Sequence, residues 1–188
     1  MAENRKDTLR AQVGARRRDL VPGRDRAADA EALAIDALTA AHDAGVRPGD
    51  WVAVYESLPS EPPTEATIAA LAARGIRVMV PITLADWDLD WREVGTEVAL
   101  GVDAVADARL VLVPAQGVDG SGTRLGRGKG CYDRVLPRTS GVAVAVVYPW
   151  EVTDDDLPTE PHDRPVDAVM AAGLGVRWFR TSTPQGRT

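Results

Sequence analysis

Cysteine is nearly missing from this sequence: Cys131 is the single one among 188 residues. An internal disulfide is therefore impossible, and one lone thiol suits a reducing compartment. There is no apolar run of membrane-spanning length, and the opening stretch MAENRKDTLRAQV has no apolar core of the kind a secretory signal needs. A cytoplasmic protein without a membrane partner is expected. Net positive charge is lacking too. Lysine and arginine number 22 against 28 acids, for a formal net charge of −6, and the pI is near 5.0. Nucleic-acid binding, which neutralises many phosphates with a basic face, is thereby disfavoured. No internal repeat is visible. What remains is ordinary globular material, 45% hydrophobic and 27% charged, at a length that suits one domain with a real core.

Residues Lys6 to about Asp19 read as a helix whose apolar positions, Leu9, Val13 and Leu20, are sparse. Pro22 and Gly23 interrupt it. A cleaner helix follows in RDRAADAEALAIDALTAAHDAG, where Leu33, Ala34, Ala37, Leu38 and Ala41 recur at three- and four-residue spacing before Gly45. WVAVY (51–55) reads as a short buried strand, Thr64 to Arg74 as a helix closed by Gly75, and IRVMVP (76–81) as the next strand. ARLVLVP, ending at Pro114, reads as a central strand and GVAVAVVY (141–148) as another. DWDLDW suggests an edge strand or hairpin with Trp87 and Trp91 on one side, and PVDAVM and VRWF two late short strands. Helix–strand alternation of this kind predicts an α/β fold: three layers, α/β/α, around a central, mostly parallel sheet. A single domain over 1–180 is expected, with a polar, frayed tail at 181–188.

The stretch GTRLGRGKGCYDRVL (122–136) concentrates four cations, Arg124, Arg127, Lys129 and Arg134, against one acid, Asp133. It is not a P-loop, because Thr123 stands where the first glycine belongs and Gly130 follows Lys129. It is not the dinucleotide fingerprint either, since the glycines fall at 126, 128 and 130 and Cys131 breaks the pattern. Its physics still favours a small anion. Alternate glycines let backbone N–H groups approach a ligand closely, Arg127 and Lys129 add full charges, and a helix of about Tyr132 to Leu136, stopped by Pro137, begins where the loop ends. The plainer alternative is a surface turn with solvated cations.

The longer string VPAQGVDGSGTRLGRGKGCYDRVL resembles the signature of the 5-formyltetrahydrofolate cyclo-ligase family. That signature runs approximately Pro-Gly-x-x-Phe-Asp, a variable pair, then Gly-x-Arg-Leu-Gly-x-Gly-x-Gly-Tyr-Tyr-Asp-Arg. KDTLRAQV near the start, VYESLPSEPPT (54–64) and PTEPHDRPVDAVM (158–170) extend the likeness over nearly the full length in the family's order. The resemblance implies an ATP- and magnesium-dependent ring closure of 5-formyltetrahydrofolate to 5,10-methenyltetrahydrofolate, with ADP and phosphate released.

By that resemblance, ATP would be held by Lys6, Arg10, Arg124, Gly126, Gly128, Lys129, Gly130 and Tyr132. Lys6 and Arg10, four apart, share one helix face. Lys129 and Arg127 would be catalytic. The folate would meet Glu61, Leu58, Arg127 and Cys131, with the Glu61 carboxylate accepting from the pterin edge. Asp133 and its matching acid Asp167 would hold magnesium. His162 beside Asp163 is too sparse for a transition-metal site, and Asp163 is read as structural. The chain departs from the family at Cys131, which replaces the first of two tyrosines, and in REVGTEVALGVDAVADAR (92–109), a shortened segment on the folate side. A monomer is expected. The rival readings are a diverged ATP-dependent enzyme acting on another formyl or amide substrate, and a non-catalytic folate or nucleotide binder. The pair Asp133 and Asp167 favours catalysis over the second.

Overall fold

The computed structural model describes residues 2–161 and 163–179. His162 and the tail at 181–188 lie outside the described residues. Helix α1 spans Ala2–Leu20 and α2 spans Arg26–Asp43, and a short 3₁₀ turn at Val21–Gly23 carries the expected break. Asp25 caps α2, its Oδ1 accepting from the N–H groups of Ala27 and Ala28 at 3.1 and 3.0 Å. Next come β1 (Trp51–Val54), α3 (Glu65–Ala73), β2 (Arg77–Thr83), β3 (Leu89–Glu93) and β4 (Ala108–Pro114). The second half holds β5 (Gly117–Val118), β6 (Arg124–Leu125), α4 (Cys131–Val135), β7 (Val142–Val146), β8 (Ala168–Ala171) and β9 (Gly175–Trp178). Pro137 does not end a helix at Leu136; it sits inside a 3₁₀ turn, Leu136–Arg138, that prolongs α4.

Seven strands form one sheet in the order β3-β2-β1-β4-β7-β8-β9, while β5 and β6 form a separate two-stranded ladder. The five inner strands run parallel, and β3 and β9 close the two edges antiparallel. This explains the continuous apolar runs: an inner parallel strand is covered on both faces. Val52, Val54, Val78, Val80, Leu110, Leu112, Val144 and Met170 pack under α2 and α3. The alternate residues Ala53, Met79, Val111, Val113 and Ala145 point the other way, against Trp91, Val105, Val135 and Leu136. The three layers are therefore present, but the second helical layer consists of α4 and 3₁₀ turns. It was harder to read from the sequence because short helices show little periodicity.

One expectation is corrected here. Trp87 and Trp91 do not share a side: Trp91 is fully buried in β3, whereas Trp87 is 44% exposed. The reason is a turn closed by the Leu84 N–H donating to Asp88 O, which takes Trp87 out of the strand's alternation. Helix α1 is not docked by its sparse apolar residues. Leu20 is exposed, and the deeply buried side chains of α1 are Lys6 and Arg17.

Gly141 marks the closest approach within the sheet. A Cβ added there would lie 2.1 Å from the carbonyl oxygen of Ala108 and 2.9 Å from the carbonyl carbon of Arg109. Backbone atoms of a central strand cannot retreat cheaply, so Gly141→Ala is expected to destabilise the protein by about 3 kcal/mol or more. Urea unfolding checks this; an unchanged midpoint would show that β7 shifts freely against β4.

Candidate functional site

In the strand order, the chain moves outward from β1 through β2 to β3, then returns to β4 on the other side of β1. The crevice outside the carboxyl ends of β1 and β4 is therefore the reversal point at which open α/β sheets bind ligands. A cavity of about 1140 Å³ opens there, with Tyr55 after β1, Thr83 of β2 and Pro114 of β4 in its wall. A shallower hollow of about 300 Å³ is lined by Glu56, Ser57, Thr64, Glu65 and Ile68; it offers two acids and no cation, so an anionic ligand belongs in the larger one.

The β5–β6 hairpin delivers the glycine loop to this crevice. Its tip is built on Asp119, which is almost fully buried. One carboxylate oxygen accepts from the Ser121 N–H, the Ser121 hydroxyl and the Thr123 N–H at 2.7–3.0 Å, and the other accepts from the Leu157 N–H at 2.9 Å. Burial pushes the Asp119 carboxyl up, but these donors outweigh it and hold it below its ordinary value.

From β6 the side chain of Arg124 turns inward, and its Nη2 donates to Asp133 Oδ1 at 2.5 Å. Gly128 and Gly130 take φ of 91° and 68°, which only glycine adopts without strain. The absence of a side chain at Gly128 also matters. A Cβ there would lie 3.2 Å from the guanidinium carbon of Arg10, and Arg10 Nε donates to Gly126 O at 3.0 Å. Arg10 of α1 and the loop are thus fitted to one another. Arg127 Nη1 donates to Glu61 Oε1 at 3.1 Å, and the other oxygen of Glu61 accepts from the Leu58 N–H at 2.9 Å. The Glu61 segment is fixed by Tyr55, whose hydroxyl donates to Pro62 O, and by Arg26 of α2, which donates to Glu61 O.

Lys6 is buried, and its ammonium donates to Glu160 and Asp163 at 2.6 Å each. Burial alone would lower it, and the bonds to Asp163 and Glu160 outweigh that and hold it above its ordinary value. Among the described residues Lys129 has no acidic partner, and its Nζ lies 4.3 Å from the centre of the Trp87 ring; Arg134, also without one, donates to Lys129 O. The Tyr132 hydroxyl is buried and without a partner among the described residues; burial, with the Glu61 charge, raises it well above the ordinary phenol range. Burial also pushes the Cys131 thiol up, so it is protonated at neutral pH and not poised as a nucleophile.

Every residue expected for nucleotide or folate lines this cavity: Lys6, Arg10, Leu58, Glu61, Arg124, Gly126, Arg127, Gly128, Lys129, Gly130, Cys131 and Tyr132, together with Asp133. Asp167 does not. It lies just before β8, toward the amino ends of the strands, where its Oδ2 accepts from the Ala143 N–H at 2.8 Å. The expected partnership of Asp133 with Asp167 is corrected accordingly: Asp167 ties β8 to β7. Among the described residues no three potential ligands from His, Cys, Asp and Glu converge on one point. The sequence reading missed Glu160 as a partner of Lys6, Arg134, which donates to Lys129 O at 3.0 Å, and the buried pair of Arg17 with Glu151. Only an acid's spacing from a basic helix hints at such pairs, and that signal is faint.

The class this geometry defines is an α/β protein with a glycine-lined crevice at its strand reversal, walled by lysines and arginines most of which are paired with acids. Comparison with known proteins narrows it. The family model for the 5-formyltetrahydrofolate cyclo-ligase family matches residues 2–172. The 5-formyltetrahydrofolate cyclo-ligase of Mycolicibacterium smegmatis is 35% identical over 149 residues, which cover 68% of this chain and 76% of that protein. The chain belongs to the 5-formyltetrahydrofolate cyclo-ligase family, a family of ATP-dependent enzymes of folate one-carbon metabolism. The fold agrees. The 5,10-methenyltetrahydrofolate synthetase of Aquifex aeolicus superposes with a TM-score of 0.70 at 22% identity, covering 97% of this chain and 96% of that one. The synthetase of Mycoplasma pneumoniae gives 0.68 at 22% identity, covering 87% and 96%. No described helix is long and apolar enough to cross a membrane.

The Asp119 hub generates a pH prediction. A carboxyl held below its ordinary value in the folded state stabilises the fold at neutral pH. That contribution is lost as pH falls below about 4, through the folded value. Asp119→Asn is expected to lower stability at pH 7 by about 1–3 kcal/mol and to flatten the acid limb of the stability–pH curve. Parallel acid limbs for the two proteins, measured by urea unfolding, would remove Asp119 as the hairpin's anchor.

Proposed function

We propose that this protein converts 5-formyltetrahydrofolate to 5,10-methenyltetrahydrofolate in an ATP- and magnesium-dependent reaction that releases ADP and phosphate. The observation that carries the reading is Lys129: a cation of the family-matched loop, at the strand reversal, with no acidic partner among the described residues. In the reaction the formyl oxygen attacks the γ-phosphorus of ATP and ADP departs. N10 then adds to the activated carbon and loses its proton, the carbon–oxygen bond breaks, and phosphate leaves with the former formyl oxygen. Such chemistry asks the protein chiefly for alignment and for positive charge around the moving phosphoryl group.

The residues fit those demands. Lys129 and Arg127 stabilise the transferred group, and Arg10, Arg124 and the backbone of Gly126, Gly128 and Gly130 hold the nucleotide phosphates. Glu61, buried and already accepting from two donors, meets the N–H edge of the pterin, with Leu58 and Cys131 beside it. Tyr132 stays a neutral phenol and offers its buried hydroxyl. Magnesium, when bound, would offset the charge of the phosphates. Asp133 suits it, since Arg124 engages one carboxylate oxygen and the second has no partner among the described residues. Lys6 braces Glu160 and Asp163 against α1 with two of its N–H groups and has a third for a nucleotide phosphate. With Asp167 elsewhere, the case for turnover over mere binding rests on Lys129. A monomer acting in the cytoplasm completes this reading.

Two substitutions test this. Lys129→Ala is expected to abolish the ATP-dependent rise in methenyltetrahydrofolate absorbance while leaving the thermal midpoint unchanged; retained turnover would remove the loop from the mechanism. Glu61→Gln is expected to raise the KM for folate at least tenfold, a loss of about 1.4 kcal/mol or more, with the KM for ATP little affected. Equal loss for both ligands would show that Glu61 is not a pterin contact.

A further inference from the structure

Trp87 lies outside the signature strings read from the sequence, yet it stands in the cavity wall. Its backbone takes φ of 67° and is the one non-glycine in the left-handed region among the described residues. A bulky side chain adopts that conformation rarely and at a cost, so surrounding structure must enforce it. The enforcement is visible. Asp86 Oδ1 accepts from the Asp88 N–H at 3.0 Å, and the Trp87 N–H donates to Leu84 O at 3.1 Å. Arg138, just after α4, pairs with both carboxylate oxygens of Asp88. The hairpin tip is thereby tied to the element that follows the glycine loop. The result is an indole held half in solvent with its face under the ammonium of Lys129, 4.3 Å from the ring centre.

The comparison with the neighbouring cations gives this contact its meaning. Lys6, Arg10, Arg124 and Arg127 each have a carboxylate within 3.1 Å, and Arg134 donates to the backbone oxygen of Lys129. Among the described residues Lys129 has an aromatic face in that place. A carboxylate would fix the ammonium but cancel its charge, and an arriving polyphosphate would have to displace it. A ring quadrupole attracts the ammonium and leaves its full charge in being.

We propose that Trp87 is a positioning residue for Lys129, holding the ammonium at the cavity wall without neutralising it so that it meets a polyphosphate preorganised. This rests on the reading of Lys129 given above. The test is therefore a binding measurement on the intact protein that needs no turnover: calorimetric titration with inorganic triphosphate. Trp87→Ala is expected to weaken binding roughly three- to tenfold. Trp87→Phe, which keeps an aromatic face, is expected to recover most of the loss. In a Lys129→Ala background, Trp87→Ala is expected to cost nothing further. Thermal midpoints control for the fold, and since Trp87 is 44% exposed all variants are expected to fold. If Trp87→Ala binds triphosphate as well as the parent does, or loses the same factor when Lys129 is absent, the proposal is overturned while the phosphate reading of the loop stands. If the parent protein does not bind triphosphate at all, that reading falls and takes the proposal with it.

Discussion

A guanidinium with almost no water around it holds the cavity end of this molecule together. Arg17 of α1 donates to both carboxylate oxygens of Glu151, at 2.6 and 2.8 Å, and to Ala115 O just beyond β4 at 2.7 Å. Its guanidinium lies 5.4 Å from the centre of the Tyr148 ring, which stacks on Trp150 with ring centres 4.8 Å apart. Charges are taken out of water at a price of several kcal/mol each, recovered only when every donor and acceptor is met in good geometry. Here the geometry is bidentate, and Glu151 also accepts from the Tyr148 N–H, so the carboxylate is well satisfied. The consequence reaches the cavity. Helix α1 buries no large apolar side chain against the sheet, so this pair and the clamp on Lys6 at the other end set where α1 lies. Arg10, between them, meets the glycine loop because both ends are fixed. Directional bonds position a helix more narrowly than an apolar stripe does, which suits a helix whose task is to deliver one guanidinium.

The fold was legible where burial dictates residue type. ARLVLVP and GVAVAVVY could only be inner strands, because both of their faces are covered, and the alanine-rich face of α2 declared the side on which it meets the sheet. The loop was legible by chemistry, since alternating glycine and cation has few uses other than holding an anion. What escaped reading depends on partners distant in sequence. Nothing local to Lys6 announces that carboxylates 154 and 157 residues away will claim it. Nothing local to Arg17 shows Glu151. Trp87 and Trp91 alternate correctly as letters, and the turn that separates them is set by Asp86 and Asp88 bonding to backbone and to Arg138. Asp167 is instructive in another way. It matches the family by position in a string, but its place one residue before a parallel strand gives its carboxylate a neighbouring backbone N–H to bind.

Charge in the cavity follows from the same accounting. Six cations and five acids face it, so the wall is close to neutral although the loop taken alone is strongly basic. Ion pairs keep long side chains in single rotamers when no ligand is present, which lowers the ordering cost of binding. They also mean that most of the cations are partly spent. Arg124 is committed to Asp133 and Arg127 to Glu61, leaving their remaining N–H groups, and not their whole charge, for a ligand. The buried Nε of Arg124, without a partner among the described residues, is one such group.

The distribution of glycine in the loop can now be given a cause that differs from a P-loop's. In a P-loop a long helix begins at the phosphate and the backbone dipole contributes much of the attraction. Here α4 has five residues, too short to sum a large dipole, so side-chain charge must do most of the holding. Side chains need room to converge. Gly128 leaves room for the guanidinium of Arg10 and Gly126 for that of Arg124, each of which a Cβ would crowd at 3.2 and 3.1 Å. Gly130, in the left-handed region, reverses the chain so that Lys129 O can accept from Arg134 while the Lys129 side chain faces Trp87. The glycines are therefore spacers for cations brought from three other parts of the chain, and their alternation with Arg127 and Lys129 is what lets one short loop receive Arg10 and present its own two charges at once.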